Sequence, residues 1–318
     1  MLDVRKLRYF ATVAEMGSFT KAARLLHVAQ PALSRQIQNL EEEVGLQLFL
    51  RTGRQIRLTD AGEAMLSHAR TIDRDFERLI EDMQSRKGTP KGKVVLGVPP
   101  TLADAVVPRL IELLKLKLPM VALTIVEGLT PVLADWLRSN KADLAILSLA
   151  MERDAKDFPG LSIEPLTMED MVVAERTAKK GRGHYTLSEL RCKELVVSGM
   201  LAAIVQRQLG ETAMPFKFIL EIDSVQALKT MVLRGQAATI LPVSMLGEEL
   251  RNGTVSARSI TAQSVRRQIV LAHQGFRQMT QAGEAMRQFV REQMSEMQAE
   301  GLFSLRRSSP SSEGHRPR

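Results

Sequence analysis

Residues 27–45 read HVAQPALSRQIQNLEEEVG, and this stretch decides the fold. Leu33, Ile37, Leu40 and Val44 recur at alternating steps of four and three, which places them on one face of a helix. Pro31 suits the first turn of that helix, where its missing N–H is not needed, and Gly45 ends it. A second face is built from Pro31, Ser34, Arg35 and Gln38 and carries no acid. Glu41, Glu42 and Glu43 crowd the far end. A polar front and an acidic tail suit a negatively charged partner met N-terminus first.

The flanking sequence completes the unit. Leu7, Phe10, Ala11 and Ala14 sit at helical spacing, and Met16-Gly17 breaks that helix. Ser18 is placed to cap a second short helix, whose stripe is Phe19, Ala22, Ala23 and Leu26. His27 to Gln30 form the turn. Two short helices, a tight turn and a polar front on the second make a helix-turn-helix, with the second helix entering the major groove. Leu48-Phe49-Leu50 and Ile56-Arg57-Leu58 flank the basic turn Arg51-Thr52-Gly53-Arg54 and read as a small wing. Arg35 can donate two bonds to guanine, and Gln30 or Gln38 can pair with adenine. Ser34 can bond a base edge or a phosphate, and Pro31 offers apolar contact. Lys21 and Arg54 are candidate phosphate or minor-groove contacts, and Ser18 and Thr20 complete the set. Any one of these side chains alone would more often be merely solvated. Their weight comes from a shared face opposite a clean core stripe.

Composition agrees. The 318 residues carry a formal net charge of +8, which favours an anionic partner such as nucleic acid. That length suits about two domains. No apolar run reaches the roughly 18 residues that span a bilayer, and MLDVRKLRYF has no signal-peptide pattern, so a cytoplasmic location is expected. The single cysteine, Cys192, excludes an intrachain disulfide. The cations beside it leave redox sensing a minority reading. The five histidines lack metal spacing, and no GxSxG, Walker or GxGxxG pattern occurs. An enzyme, a metal and a cofactor are therefore not expected.

A long helix is predicted over about 60–87, with Asp60 and Glu63 at capping-box spacing. Met65, Ala69, Ile72, Phe76, Leu79 and Met83 form a heptad seam, read as a dimer seam in preference to packing on the chain's own domain. Residues 85–92 read as a linker. From Val94 onward, short apolar runs alternate with amphipathic helices, which predicts mainly parallel sheets with helices on their faces. The last stretch, 299–318, is rich in Ser, Pro and Arg and reads as a disordered basic tail.

Ligands in open parallel sheets sit beyond the carboxyl ends of strands. Runs here end at Pro99-Pro100-Thr101, Ser148, Ser198-Gly199 and Pro242. Thr101, Ser148, Ser198 and Gly199 are candidate ligand residues, with Pro99 and Pro242 shaping the wall. Helix N-termini would suit a carboxylate, although serine and threonine cap helices everywhere. No arginine or histidine follows Ser198, and Gln236-Ala237-Ala238 carries no glycine before the run that ends at Pro242. An aromatic ring is as plausible a ligand as a small carboxylate.

The stretch from AEMGSFTKAARLLHVAQPALSRQ through TDAGEAM closely resembles the N-terminal domain of LysR-type transcriptional regulators, almost without gaps from Leu7 to about Leu66. GVPPTLADAVVPRLIELLKLKLPMVALTIVEGLTPVLADWLRSNKADLAIL and DSVQALKTMVLRGQAATILP resemble the effector half of that family, nearest its nitrogen-assimilation and aromatic-catabolism branch. The resemblance implies an α/β protein with a winged helix-turn-helix head over 1–58 and a linker and dimerisation helix over 59–90. It implies a periplasmic-binding-protein-like effector domain over 91–298, with one subdomain at about 91–163 and 265–298 and the other at 164–264. It further implies double-stranded promoter DNA, a small-molecule effector in the cleft, a homodimer or tetramer, and RNA polymerase as a further candidate partner. Two rival readings are an effector-independent regulator and a metabolite-binding or catalytic α/β module with a secondary DNA head.

Overall fold

The computed structural model describes residues 2–52, 55–85, 89–150, 157–176, 184–209, 217–260 and 264–305. The chain forms two compact units, Met1–Thr89 and Pro90–Arg318.

The first unit holds α1 (Val4–Met16), α2 (Phe19–Leu25), α3 (Gln30–Val44), the hairpin β1 (Phe49–Thr52) and β2 (Gln55–Leu58), and α4 (Asp60–Ser85). Asp3 caps α1 by accepting from the Lys6 N–H, and Gly17 ends it in the left-handed region at φ 58°. Ser18 caps α2 by accepting from the Lys21 N–H at 3.4 Å. Leu7, Phe10, Ala22, Leu33, Ile37 and Leu40 point into one core. Phe49 brings the hairpin to it, 5.2 Å from the Phe10 ring and 5.9 Å from that of Phe19.

The turn between α2 and α3 is a helix C-cap. Val28 N–H reaches back to Ala23 O at 3.0 Å and His27 N–H to Arg24 O at 3.3 Å, the paired bonds of a Schellman motif. That motif needs a left-handed residue, and His27 supplies it at φ 53°. A side chain there costs about 1 kcal/mol, which glycine avoids. His27→Gly is therefore expected to raise the stability of the head by up to about 1 kcal/mol, less the extra freedom glycine gives the unfolded chain; chemical denaturation measures it.

Helix α4 begins one residue away from the expected cap. Thr59, not Asp60, holds the first turn: its hydroxyl accepts from Gly62 N–H at 3.0 Å and donates to Gln47 O at 2.7 Å. Gly62 lies where the helix crosses the base of the hairpin, and a Cβ there would stand 2.2 Å from Leu48 O.

The second unit runs β3 (Gly92–Val98), α5 (Pro100–Lys117), β4 (Val121–Glu127), α6 (Thr130–Arg138), β5 (Leu144–Leu149), β6 (Leu161–Glu175), α7 (Leu187–Cys192), β7 (Glu194–Val197), α8 (Gly199–Leu209), β8 (Lys217–Glu221), α9 (Val225–Leu233), β9 (Thr239–Pro242), a 3-10 turn (Val243–Leu246), α10 (Gly247–Asn252), β10 (Ser256–Ser259), β11 (Arg266–Gln274) and α11 (Gln281–Ala299). The strand order is β10-β6-β11-β5-β3-β4, with β9 also on β6 and a separate β7-β8 pair. The expectation of mainly parallel sheets needs correction. β3-β4, β3-β5 and β7-β8 are parallel, but β11 runs antiparallel to both β5 and β6, and β9 and β10 run antiparallel to β6.

The long strand β6 joins two lobes. Its first part, up to Asp170, pairs with β11; from Met171 it pairs with β9. Separate apolar cores lie on either side of that change. One gathers Leu96, Leu102, Leu144, Ile269, Met286 and Phe289, and the other Val172, Leu195, Val205, Leu228 and Ile240. The chain thus switches lobes near residue 170 rather than at 163/164, because β6 keeps pairing with β11 for seven residues further. The turn before β9 also holds a glycine after all, one position before Gln236: Gly235, at φ 71°. The predicted disordered tail begins too early. Phe303 is buried in a core, and Asp170 takes the Leu305 N–H at 3.0 Å. Residues 306–318 lie outside the described residues.

Candidate functional site

On α3, Gln30, Pro31, Arg35 and Gln38 are exposed and Ser34 is half-buried on the same side. The N-cap is Ala29, which offers no side-chain acceptor, so the first-turn N–H groups and the positive end of the helix dipole remain for an outside anion. Thr20 and Lys21 are exposed on α2, and Ser18 is half-buried at its start. Arg54 lies outside the described residues. The contact set named from sequence otherwise falls on α3 and the first turn of α2.

The acidic tail of α3 answers a structural need. Acids at a helix C-terminus oppose the dipole, so each must find compensation. Glu41 accepts the N–H groups of Leu48 at 2.8 Å and Phe49 at 3.1 Å, which pins the first strand of the wing to α3. Glu43 pairs with Lys6 of α1 at 2.5 Å, and that hydrogen bond lowers its pKa below the ordinary carboxylate value. Glu41 and Glu43 are thus turned into their own domain, while Glu42 is exposed. Glu41→Ala strips two N–H groups at buried residues of their acceptor and is expected to cost about 2 kcal/mol. Glu41→Gln keeps an acceptor and should cost less; urea unfolding of the two variants side by side checks both.

The α4 stripe divides in two. Ala69 is buried and Met65 half-buried in the core of the head, beside Leu66, so these two positions belong to their own domain rather than to a dimer seam. Arg8 to Asp73 and Arg70 to Glu15 bind α1 to the same part of α4. Beyond them Ile72, Phe76, Leu79 and Met83, with Ile80, are 38–55% exposed. An apolar row of this kind is unusual on a free surface.

The second unit holds a narrow cavity of about 30 Å³ between its lobes. Pro99, Thr101, Ser148 and Ser198 line it as expected. Pro242 and Gly199 are not among its lining residues. Pro242 is engaged in β9 opposite Met171, and a Cβ on Gly199 would fall 1.9 Å from the Glu221 carboxylate. Thr101 does not cap α5, whose N-cap is Pro99. Its hydroxyl accepts from a residue absent from the candidate set, Arg267 of β11.

Arg267 is 1% exposed and its partner Glu169 fully buried. Arg267 Nε donates to Glu169 Oε2 at 2.8 Å, and its Nη1 donates to Thr101 Oγ1 at 2.8 Å and to Ser148 Oγ at 3.2 Å. Glu169 Oε1 accepts the Ser244 N–H at 3.0 Å. Thr130 on α6 accepts from Ser148 N–H and donates to Ser148 O. Sequence reading missed the pair because Arg267 and Glu169 sit at ordinary strand positions 98 residues apart. Both strands, RRQIVLAHQ and LSIEPLTMEDMVVAE, carry several other polar or charged residues, so neither charge stands out in the sequence. Across the cleft mouth, Gln226 of α9 donates to Asp104 of α5 at 2.6 Å.

Among the described residues, no helix is long and apolar enough to cross a membrane. The family model for the bacterial regulatory helix-turn-helix protein, lysR family, matches residues 4–63, and that for the LysR substrate binding domain matches residues 87–295. The nitrogen assimilation regulatory protein nac of Klebsiella aerogenes is 32% identical over 251 residues, covering 76% of this chain and 79% of the relative. The regulator CfxR of Cupriavidus necator is 29% identical and covers 93% of both chains. Full-length CbnR, solved in complex with its target DNA, shares the fold at a TM-score of 0.68 and 22% identity, over 92% of this chain and all of that one. With both of its units matched, the chain belongs to the LysR family of DNA-binding transcriptional regulators, which are not enzymes.

Proposed function

We propose that α3 lies N-terminus first in the major groove of promoter DNA and reads it with Arg35, Gln30 and Gln38. Pro31 supplies apolar contact and Ser34 a polar one. Ser18, Thr20 and Lys21 hold the flanking phosphates, and Arg54 at the wing reaches the backbone or minor groove. The observation that carries this reading is the uncapped, acid-free start of α3 beside acids fastened inside the head. The exposed end of α4, from Ile72 to Met83, pairs with the same helix of a second copy, and two dimers form a tetramer. Residues 1–58 act as the DNA head, 59–90 as the linker and dimerisation helix, and 91–298 as the effector domain. A small molecule held between the lobes, near Thr101, Ser148 and Ser198, changes their closure and so the geometry of the assembly. That is allostery only if the ligand binds the two geometries unequally. The protein works in the bacterial cytoplasm, with RNA polymerase as its neighbour at the promoter.

Footprinting on the DNA upstream of its own gene tests this. Two protected half-sites on one face of the duplex, with dyad symmetry, are expected. Uniform protection of unrelated DNA would overturn it.

A further inference from the structure

The fold does not end with α11. Gly301 stops that helix in the left-handed region at φ 80°. Its N–H goes to Gln298 O at 3.0 Å and that of Leu302 to Met297 O at 3.1 Å, the paired bonds of a Schellman motif. Just before it, Glu300 takes both terminal nitrogens of Arg109 on α5. The chain then turns back along the joint between the lobes. Leu302 and Phe303 pack on the core of the lobe built on β3, with Phe303 almost fully buried. Leu302 also reaches the other lobe, where a Cβ on Gly247 would stand 4.0 Å from its Cδ1. Leu305 packs on the core of that other lobe, built on β9. The short run from Leu302 to Leu305 thus touches both cores.

Asp170 holds this run at the point where β6 leaves one lobe for the other. Its N–H donates to Phe303 O at 3.0 Å. Its Oδ2 accepts from the Leu305 N–H at 3.0 Å and from the Ser304 hydroxyl at 3.3 Å, and its Oδ1 accepts from Arg266 Nε at 2.9 Å. Asp170 is 5% exposed, so groups stripped of these bonds would be left without water. The next residue, Met171, donates its N–H to Val265 O at 2.8 Å. The outgoing β6 and the returning β11 therefore cross between the lobes side by side. A crossing of this kind bends through small φ/ψ changes at a few residues. A further segment, fixed to both cores and to the crossing itself, opposes that bend.

We propose that residues 301–305 form a strap across the hinge, anchored at Asp170, and that the docking of Leu305 sets how freely the two lobes move. The grip is unequal at its two ends. The β3 lobe holds the strap by Leu302, by buried Phe303 and by the Arg109–Glu300 pair. The β9 lobe holds it chiefly by Leu305, which is only half-buried. Detachment starts at Leu305 and costs far less than unfolding either lobe. With Leu305 docked the lobes keep one relation; with it released they sample others. The proposal rests on the reading that the lobes move against each other, and it is independent of what lies between them.

A pair of spin labels on the full-length protein tests it. Cys192, the single cysteine, is exposed beside β7, and Ser295 is exposed on α11, so Ser295→Cys completes a pair that spans the lobes. Labelled chain is diluted into unlabelled chain, so that only distances within one chain are read by pulsed dipolar spectroscopy. Leu305→Ser and Asp170→Ala are each expected to broaden the distance distribution, and Leu305→Met, which keeps the apolar contact, to leave it as in the wild type. Exchange of the Asp170 and Leu305 N–H groups should quicken about tenfold in Leu305→Ser, the worth of a half-buried leucine side chain, with the amides of β5 unchanged. Gln226→Ala serves as the comparison, because it cuts the bond to Asp104 at the cleft mouth and leaves the strap alone. A broader distribution in Gln226→Ala beside the wild-type one in Leu305→Ser and Asp170→Ala overturns the strap but keeps the moving lobes, even if those two variants unfold at lower urea. The same narrow distribution in every variant overturns the strap and the movement of the lobes together.

Discussion

Glu169→Ala is expected to destabilise the ligand-binding unit by about 3–5 kcal/mol. The carboxylate is fully buried and takes both the Arg267 guanidinium and the Ser244 N–H. Its removal leaves a cation without a counter-charge in the joint between the lobes. The desolvation penalty for that cation then stands uncompensated, whereas in the wild type the pair offsets it. Removing both charges is another matter. Glu169→Leu with Arg267→Met fills a similar volume and should return the unit to within about 1–2 kcal/mol of the wild type. The chain has a single tryptophan, Trp136 on α6, so its fluorescence during urea unfolding reports this unit selectively. A Glu169→Ala midpoint equal to that of the wild type would mean the pair is open to solvent.

Gly62→Ala is expected to destabilise the DNA head by about 3 kcal/mol. Alanine is normally worth up to about 1 kcal/mol over glycine inside a helix, so the sign must come from contact. An added Cβ would meet Leu48 O at 2.2 Å and Leu58 Cδ2 at 2.9 Å. The leucine tip can swing away, but Leu48 O cannot, because it accepts the Thr59 N–H at 3.0 Å and so fixes the end of the hairpin. Helix α4 must back off from the wing. For a unit of this size the loss lowers Tm by roughly 10–20 °C, seen by circular dichroism with the tryptophan signal of the other unit as an internal reference. A rise in Tm would show that the helix and hairpin are not in contact there.

These two residues also mark where sequence reading stops. Helices α1, α2 and α3 were legible because each joins a period of apolar residues to a start or stop signal: Ser18 or Pro31 before, Gly17 or Gly45 after. The exposed polar face of α3 was legible for the same reason, since one period fixes both faces. The cap of α4 was misplaced by one residue because Thr59 and Asp60 are both good caps. Only the Gln47 carbonyl, brought close by the wing, favours the threonine. In the second unit, the parallel strands with their helices were readable from alternation. The antiparallel run of β6 was not, because its first part, LSIEPLTMED, mixes charges into the strand, and pairing with β11 sets its course. Pairing across 98 residues likewise hid Arg267 and Glu169. The hydroxyls could be named from strand ends, but what orients them comes from a distant strand.

The reading of DNA by α3 is tested most directly by selecting binding sites from randomised duplexes, with the wild type, Arg35→Ala and Lys21→Ala compared over a range of salt. A base contact and a phosphate contact give different signatures. Arg35→Ala should lose its preference at one base pair in each half-site, worth about 1–3 kcal/mol, with the salt slope nearly unchanged. Lys21→Ala should weaken all sequences alike and reduce the slope by about one. If Arg35→Ala instead weakens every sequence equally and keeps the wild-type preference, the exposed face of α3 does not read the bases.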